Sequence, residues 1–305
     1  MAADKLKVVV TGAAGKTGGL IVKKLVERSA QFEPRALVRS EKTPSDNPAS
    51  IPIMPSWTLK DLARQRSPPS ASAESAIFTA NIATASAADL AAALKGVDAL
   101  VIGTSGVPEI NYLSLIPVFV AKLTGQKGVS PSFTWKEGQK PEQVDWLGQK
   151  AQIDAAKAAG VKHVVIISSM GGTDPTNALN KLGDGGILMW KRKAEQYLIA
   201  SGLQYTIIHP GGLIDKKGGE RQILIDVDDV LITRTSRSIP REDVAEVAVQ
   251  CLLLPQALNK SFDIISIVPG EGTITTDIGS LVDSLQGKTC DYSINSQMQD
   301  GQEQK

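Results

Sequence analysis

From Thr11 to Gly19 the chain reads Thr-Gly-Ala-Ala-Gly-Lys-Thr-Gly-Gly, directly after an apolar run and at the start of a helical pattern. Glycines at this spacing suit a phosphate. Gly12 permits a tight turn, Gly15 lets backbone amides approach a pyrophosphate, and Gly18 lets helix and strand pack closely. Ala14, Lys16 and Thr17 complete the loop, and the phosphates sit at the positive end of a helix dipole. Gly15-Lys16-Thr17 also mimics the end of a Walker A loop. That loop needs a glycine five residues before Gly15, where this chain has Val10 inside the strand, so a nucleoside triphosphatase is excluded.

The end of the second strand reports which dinucleotide fits. An NAD site wants an acid there to accept the ribose hydroxyls. The sequence runs Leu37-Val38-Arg39-Ser40, with no acid at the tip and Glu41 one step too late. Arg39 can pair with a 2′-phosphate through two parallel hydrogen bonds, and Lys16 is expected to add a second charge. NADP is therefore expected over NAD.

These residues need a scaffold. Lys7-Val8-Val9-Val10-Thr11 reads as a strand buried on both faces, followed by a helix from about Thr17 to Arg28. Further strands are expected at Ala36–Val38, Ala76–Phe78, Ala99–Ile102, His163–Ile167 and Tyr205–Ile208. Helices are expected at Ala87–Leu94, Val144–Ala159, Ile187–Ala200 and Arg241–Leu254. Alternating strands and helices specify an α/β fold, a Rossmann-type doubly wound parallel sheet. The expected organisation is one domain, 1–293, with core 5–210 and a small C-terminal substrate-side lobe at 211–293. Residues 43–75, rich in Pro, Ser and Ala, read as a surface insertion, and 294–305 as a flexible tail.

Composition narrows the function classes. The 305 residues are 42% hydrophobic, with 33 Lys and Arg against 32 Asp and Glu, a net charge of +1. No global field favours nucleic acid, so any anion site is local. Cys251 and Cys290 lie far apart, and with only His163 and His209 beside them no metal site is expected; buried reduced thiols fit better. No transmembrane span is visible, and the first strand begins almost at once, leaving no apparent signal or transit peptide. A soluble location in a reducing compartment is expected.

Several longer motifs carry a family resemblance. They are Thr-Gly-x-x-Gly-x-x-Gly, Leu37-Val38-Arg39-Ser40, Pro141-Glu142-Gln143-Val144-Asp145-Trp146 and Ile153-Asp154-Ala155-Ala156-Lys157. Ser168-Ser169-Met170-Gly171-Gly172, Trp190-Lys191-Arg192-Lys193-Ala194-Glu195 and Pro210-Gly211-Gly212-Leu213 add to them. Together they resemble the atypical short-chain dehydrogenase/reductases of plants and algae, over nearly the whole chain except insertion and tail. The resemblance implies that the glycine loop surrounds the phosphates and Arg39 holds the 2′-phosphate. Asn81 and Ile82 would flank adenine, Thr104 and Ser105 the ribose side, and Ser168 and Ser169 the nicotinamide. Pro210, Gly211 and Gly212 would close over the carboxamide. It also makes a chloroplast stroma conceivable beside the cytoplasm.

Catalysis is less well specified. The superfamily's reductases commonly use Tyr-x-x-x-Lys, the tyrosine acting as general acid. Lys193 matches the lysine, but Met189 stands in the tyrosine's place and cannot donate a proton. Tyr112 and Tyr197 are the tyrosines that could substitute, though Tyr197 lies a full helical turn from where an acid is needed. Ser169 and Lys193 are the remaining catalytic candidates; Asp145 is expected to serve the helix dipole and His209 to be a packed loop residue. The apolar segment 113–124 is expected to pack into the core, or else to line a pocket or dock a partner, as the tail also could. Two functions follow: an NADPH-dependent reductase of a small carbonyl or enone, or a catalytically weak NADP-binding sensor or assembly factor acting through a protein partner.

Overall fold

The computed structural model describes residues 4–39, 77–126 and 128–294. The expected insertion at 43–75 and all but the first residue of the expected tail lie outside them.

Strand β1 (Leu6–Thr11) is buried from Val8 onward. Its valines divide between the faces of the sheet. Val8 and Val10 join one core cluster and Val9 the other, as the two-residue period of a strand requires. Helix α1 (Lys16–Glu27) buries Ile21, Val22, Leu25 and Val26, an apolar stripe at helical spacing. Strands β2 (Phe32–Val38) and β3 (Ile77–Thr79) follow in parallel on one side of β1. Helix α2 (Ala87–Leu94) opens on a reciprocal cap between Ser86 and Asp89 and returns the chain to β4 (Ala99–Ile102), on the other side of β1.

A short antiparallel pair, β5 (Glu109–Ile110) and β6 (Phe133–Thr134), brackets helix α3 (Leu115–Thr124). Here an expectation fails. Segment 113–124 does not pack into the core: Leu113, Ile116, Phe119 and Leu123 are all more than 60% exposed, and Ala121 alone of α3 is buried. The composition of a core helix is present without a second layer to cover it.

The helix expected from Val144 starts earlier, with π-helical turns over Glu142–Gly148, and continues as α4 (Gln149–Ala158). Then come β7 (His163–Ile167), α5 (Ile187–Ala200) and β8 (Gln204–Pro210). Strand β8 runs two residues past the expected Ile208. His209 therefore lies in a strand and not in a loop, held there by parallel pairing with Asp263.

The remaining elements are β9 (Gly212–Ile214), β10 (Ile223–Asp226), β11 (Ser238–Pro240), α6 (Arg241–Cys251), β12 (Lys260–Ser266) and α7 (Ile278–Asp283). The main sheet has the order β10-β12-β8-β7-β4-β1-β2-β3, with β10 antiparallel to β12 and the other neighbours parallel. One face is covered by α1, α6 and α7, the other by α2, α4 and α5. Strand order reverses between β1 and β4, and such a switch point opens a crevice at the carboxyl edge. Cys251 and Cys290 are both buried.

Candidate functional site

The carboxyl edge gathers the residues singled out by sequence. Gly12 has a φ of +67°, and a Cβ there would come within 2.6 Å of the Gly103 carbonyl oxygen beyond β4. A Cβ on Gly18 would overlap the Gly12 carbonyl itself. The turn is closed by the Gly15 amide donating to the Gly12 oxygen at 2.8 Å. Helix α1 starts immediately afterwards, with no side chain capping it and no acid in its first turn. Its leading amides and dipole thus face a cradle that only glycine leaves open, an arrangement that fits a pyrophosphate.

Lys16 is engaged elsewhere. Its ammonium lies 2.5 Å from Asp215, one residue past β9, and Arg241 at the start of α6 holds the other oxygen of Asp215 at 2.7 Å. The glycine turn and the start of α6 are therefore tied through Asp215 across two positive helix ends. Arg39, one residue past β2, is exposed.

Along the same edge, Asn81 turns the chain after β3, its Oδ1 accepting from the Ala83 amide at 3.3 Å. Ile82 is buried beside Val144 and Leu37. Past β4, the Thr104 carbonyl accepts from Gln149 at 3.3 Å, and Ser105 donates to the Gly106 carbonyl. Past β7, Ser169 donates to the Met170 carbonyl at 3.1 Å, whereas Ser168 turns inward and donates to Glu195. Pro210 ends β8. The next amides are bonded to Ile264 and Arg237 carbonyls, at 2.9 Å from Gly211 and 2.8 Å from Gly212.

Helix α5 presents two lysines to different surroundings. The Lys193 ammonium sits 4.9 Å from the ring centre of Trp146 and 5.6 Å from that of Trp190. Lys191 is buried, its ammonium 2.7 Å from Asp145 Oδ1, and the other Asp145 oxygen accepts from the Gly106 amide at 2.9 Å. Asp145 thus does not serve the helix dipole at a solvated helix start. It is fully buried because an ammonium and a backbone donor replace its water. Tyr197, one turn beyond Lys193, donates to Asp154 at 2.6 Å.

A second buried cluster lies behind Ser168. His209 places Nε2 3.2 Å from Glu195 and Nδ1 3.1 Å from Asp263. Tyr292 donates to Glu195 at 3.0 Å, and the Cys290 sulfur approaches His209 at 3.7 Å. Burial works against the charge on His209, but the Glu195 carboxylate and bonds to Asp263, Cys290 and Glu195 outweigh it and hold its pKa well above 6.5. Burial likewise penalises Glu195, yet His209, Ser168 and Tyr292 bring it down to about 2. The His209–Glu195 pair is therefore ionised, whereas burial pushes the Asp263 carboxyl above its usual value despite its bond to His209. Ser169, Thr173, Arg192, Asp228 and Asp229 line a small cavity against this cluster. Asp229 is already taken by the Gly171 and Thr173 amides and the Thr173 hydroxyl.

Sequence reasoning passed over Lys191, Glu195, Asp263 and Tyr292. One signal was present: Leu188, Lys191, Glu195 and Leu198 repeat at i, i+3, i+7 and i+10, so two charges stand on the core-facing stripe of α5.

A doubly wound parallel sheet, a glycine turn at its switch point and an uncapped helix end define a dinucleotide-binding Rossmann protein. Residues 58–255 match the family described as NAD(P)H-binding, and the chain belongs to that family. It is 44% identical over 285 residues to an uncharacterized chloroplastic protein of Arabidopsis thaliana, covering 93% of this chain and 77% of that one. It is 42% identical over 288 residues to sanguinarine reductase of Eschscholzia californica, covering 91% and 95%. Among solved structures, a putative NAD-dependent epimerase/dehydratase from Bacillus halodurans shares the fold, with a TM-score of 0.61 at 23% identity, over 92% of this chain and 100% of that one. These likenesses agree with an atypical short-chain dehydrogenase/reductase. Among the described residues, no helix is long and apolar enough to cross a membrane.

Proposed function

We propose that the chain binds NADP(H) and uses it to reduce a small carbonyl compound or enone. The observation that carries this reading is the open end of α1 above the glycine cradle, with Arg39 and not an acid at the tip of β2. An arginine there suits a 2′-phosphate, which a carboxylate would repel. The likeness to sanguinarine reductase supports reduction among nicotinamide chemistries.

Gly12, Ala14, Gly15, Lys16, Thr17 and Gly18 surround the phosphates in this reading, and Asn81 and Ile82 flank adenine. Thr104 and Ser105 face the ribose, while Pro210, Gly211 and Gly212 enclose the nicotinamide; Ser168, expected beside them, instead turns inward to Glu195. The bound cofactor supplies hydride. The chain's share is to orient the acceptor; with Met189 in the tyrosine's place, the proton that completes the reduction comes from solvent water. Ser169 orients the acceptor oxygen by turning its hydroxyl from the Met170 carbonyl. Lys193 grips the nicotinamide ribose, while Lys191 stays committed to its buried ion pair with Asp145. The chloroplastic relative supports a plastid stroma as the compartment.

A second reading rests on Met189. Without an acid at that position, the protein binds NADP as a sensor or assembly factor, and cofactor at 100 times its dissociation constant stabilises the fold by about 2.7 kcal/mol. A thermal-shift titration with NADP⁺, NADPH, NAD⁺ and NADH, followed by NADPH consumption over a panel of carbonyls and enones, separates the two. Shifts with turnover support the reductase, shifts without turnover the sensor, and no shift with any dinucleotide defeats both.

A further inference from the structure

Among the described residues fifteen large apolar side chains are exposed, and nine of them lie between Val107 and Leu123. That concentration marks a surface with a partner, since scattered exposure needs none. Helix α3 stands away from the body, with Ala121 buried and Val118 half-buried. At 100° per residue, its exposed apolar side chains span an arc of about 200°, from Leu115 through Phe119 and Ile116 to Pro117. Only Thr124, in the last turn, interrupts it. A single protein partner needs an apolar stripe about half as wide. A helix half-sunk in an interfacial layer has the whole of such an arc covered by lipid.

The charges agree. Between Ile110 and Trp135 the sequence holds Lys122 and Lys127 and no acid. Glu109, just outside, is neutralised by Lys136 at 2.8 Å. On the wheel Lys122 falls at the border of the apolar arc, where a lysine reaches back to headgroups. Tyr112, 79% exposed in the turn before the helix, has the amphipathic ring that settles at a membrane interface. Ten residues of helix are too few to span a bilayer, so the segment lies in its surface.

We propose that α3 and the turn before it dock the protein on an anionic lipid bilayer, with the apolar arc sunk into the interfacial layer. The excursion that carries α3 leaves the body at Gly106, bonded to Asp145, and returns at Trp135, whose indole donates to the Gly183 carbonyl at 3.1 Å. Docking would hold the carboxyl edge against the membrane whatever chemistry that edge performs.

The test is co-sedimentation of the full chain with extruded vesicles, either of phosphatidylcholine alone or of equal parts phosphatidylcholine and phosphatidylglycerol. Pelleting with the anionic vesicles, cut at least tenfold in Phe119→Glu/Leu123→Glu and weakened by salt in the wild type, is expected. Circular dichroism and thermal melting check that the variant folds. If it does not, Phe119→Trp replaces it, with quenching of the new fluorescence by brominated lipid as the readout. A wild-type chain that stays in the supernatant with both vesicles overturns the proposal. So does a concentration-dependent dimer, seen by light scattering and abolished by the same substitutions, without vesicle binding.

Discussion

Glu195 Oε2 lies 3.2 Å from His209 Nε2, with both side chains almost wholly buried. Asp263 accepts on the other side of the ring, so the imidazolium ties Glu195 to Asp263 at the joint of α5, β8 and β12. Removing one partner of a buried ion pair leaves uncompensated charge and typically costs 3–5 kcal/mol. His209→Ala is expected to lose roughly that much in urea unfolding, whereas Cys290→Ala, at the edge of the cluster, loses less.

The same cluster predicts a pH dependence. The folded pKa of His209 is raised, so its contribution is complete below the free value of 6.5 and fades as pH rises through the folded value. The folded pKa of Glu195 is depressed, so its contribution is complete above 4.5 and fades as pH falls toward about 2. The stability difference between the wild type and His209→Gln should therefore be greatest from 4.5 to 6.5 and shrink on both sides. Taking a difference matters because burial lowers His163 to about 4, which destabilises both proteins alike in acid. A flat difference across pH would show that His209 is not charged in the folded protein.

The two lysines of α5 are expected to part company. Lys191→Met strands the fully buried Asp145 carboxylate and should lower stability by several kcal/mol unless Asp145→Asn accompanies it. Lys193→Met removes a cation from the Trp146 and Trp190 rings and should cost about 0.5–1 kcal/mol. If Lys193 grips the ribose, its loss raises the NADPH dissociation constant about tenfold, the 1.5–3 kcal/mol range of a charged hydrogen bond allowing still more. Isothermal titration of the Lys193 variant and of the Lys191/Asp145 double variant decides which lysine meets the cofactor.

The contrast between these lysines shows where sequence reading stopped. The sheet was legible because Val8, Val9 and Val10 form an unbroken apolar strand and the glycine turn follows at fixed spacing. The site's supporting charges were not. Motif spacing pointed to Lys193, but burial is set by which face of α5 meets the sheet, and that is decided by tertiary packing. Asp145 looked like a helix-start acid because its two donors, Gly106 and Lys191, lie 39 and 46 residues away. Segment 113–124 misled in the opposite sense: its residue types match a core helix, and only the fold shows that nothing covers them.

Cofactor choice should turn on Arg39. Arg39→Ala is expected to weaken NADPH by ten- to a hundredfold, the worth of a charge-assisted pair, and to leave NADH nearly unchanged. Gly18→Ala should lose both, because its Cβ would displace the Gly12 carbonyl and with it the turn. Equal losses of NADPH and NADH in Arg39→Ala would remove the 2′-phosphate from its account.

Asp215 offers a sharper test of the phosphate site. Its carboxylate lies between Lys16 and Arg241, at the positive ends of α1 and α6, and is 57% exposed. An exposed pair of this kind contributes within about 1 kcal/mol, so Asp215→Asn should barely move the melting temperature. Its effect on binding is expected to run the other way. The substitution leaves two cations uncommitted beside the cradle, which should tighten NADPH by roughly two- to fivefold on the same scale and steepen its salt dependence. Weaker binding in Asp215→Asn would mean that the ion pair instead braces the glycine turn in its receptive shape. Lys16→Met tells the two apart: it lowers affinity in either case, but adding Asp215→Asn to it changes affinity further only if the carboxylate itself repels the phosphates.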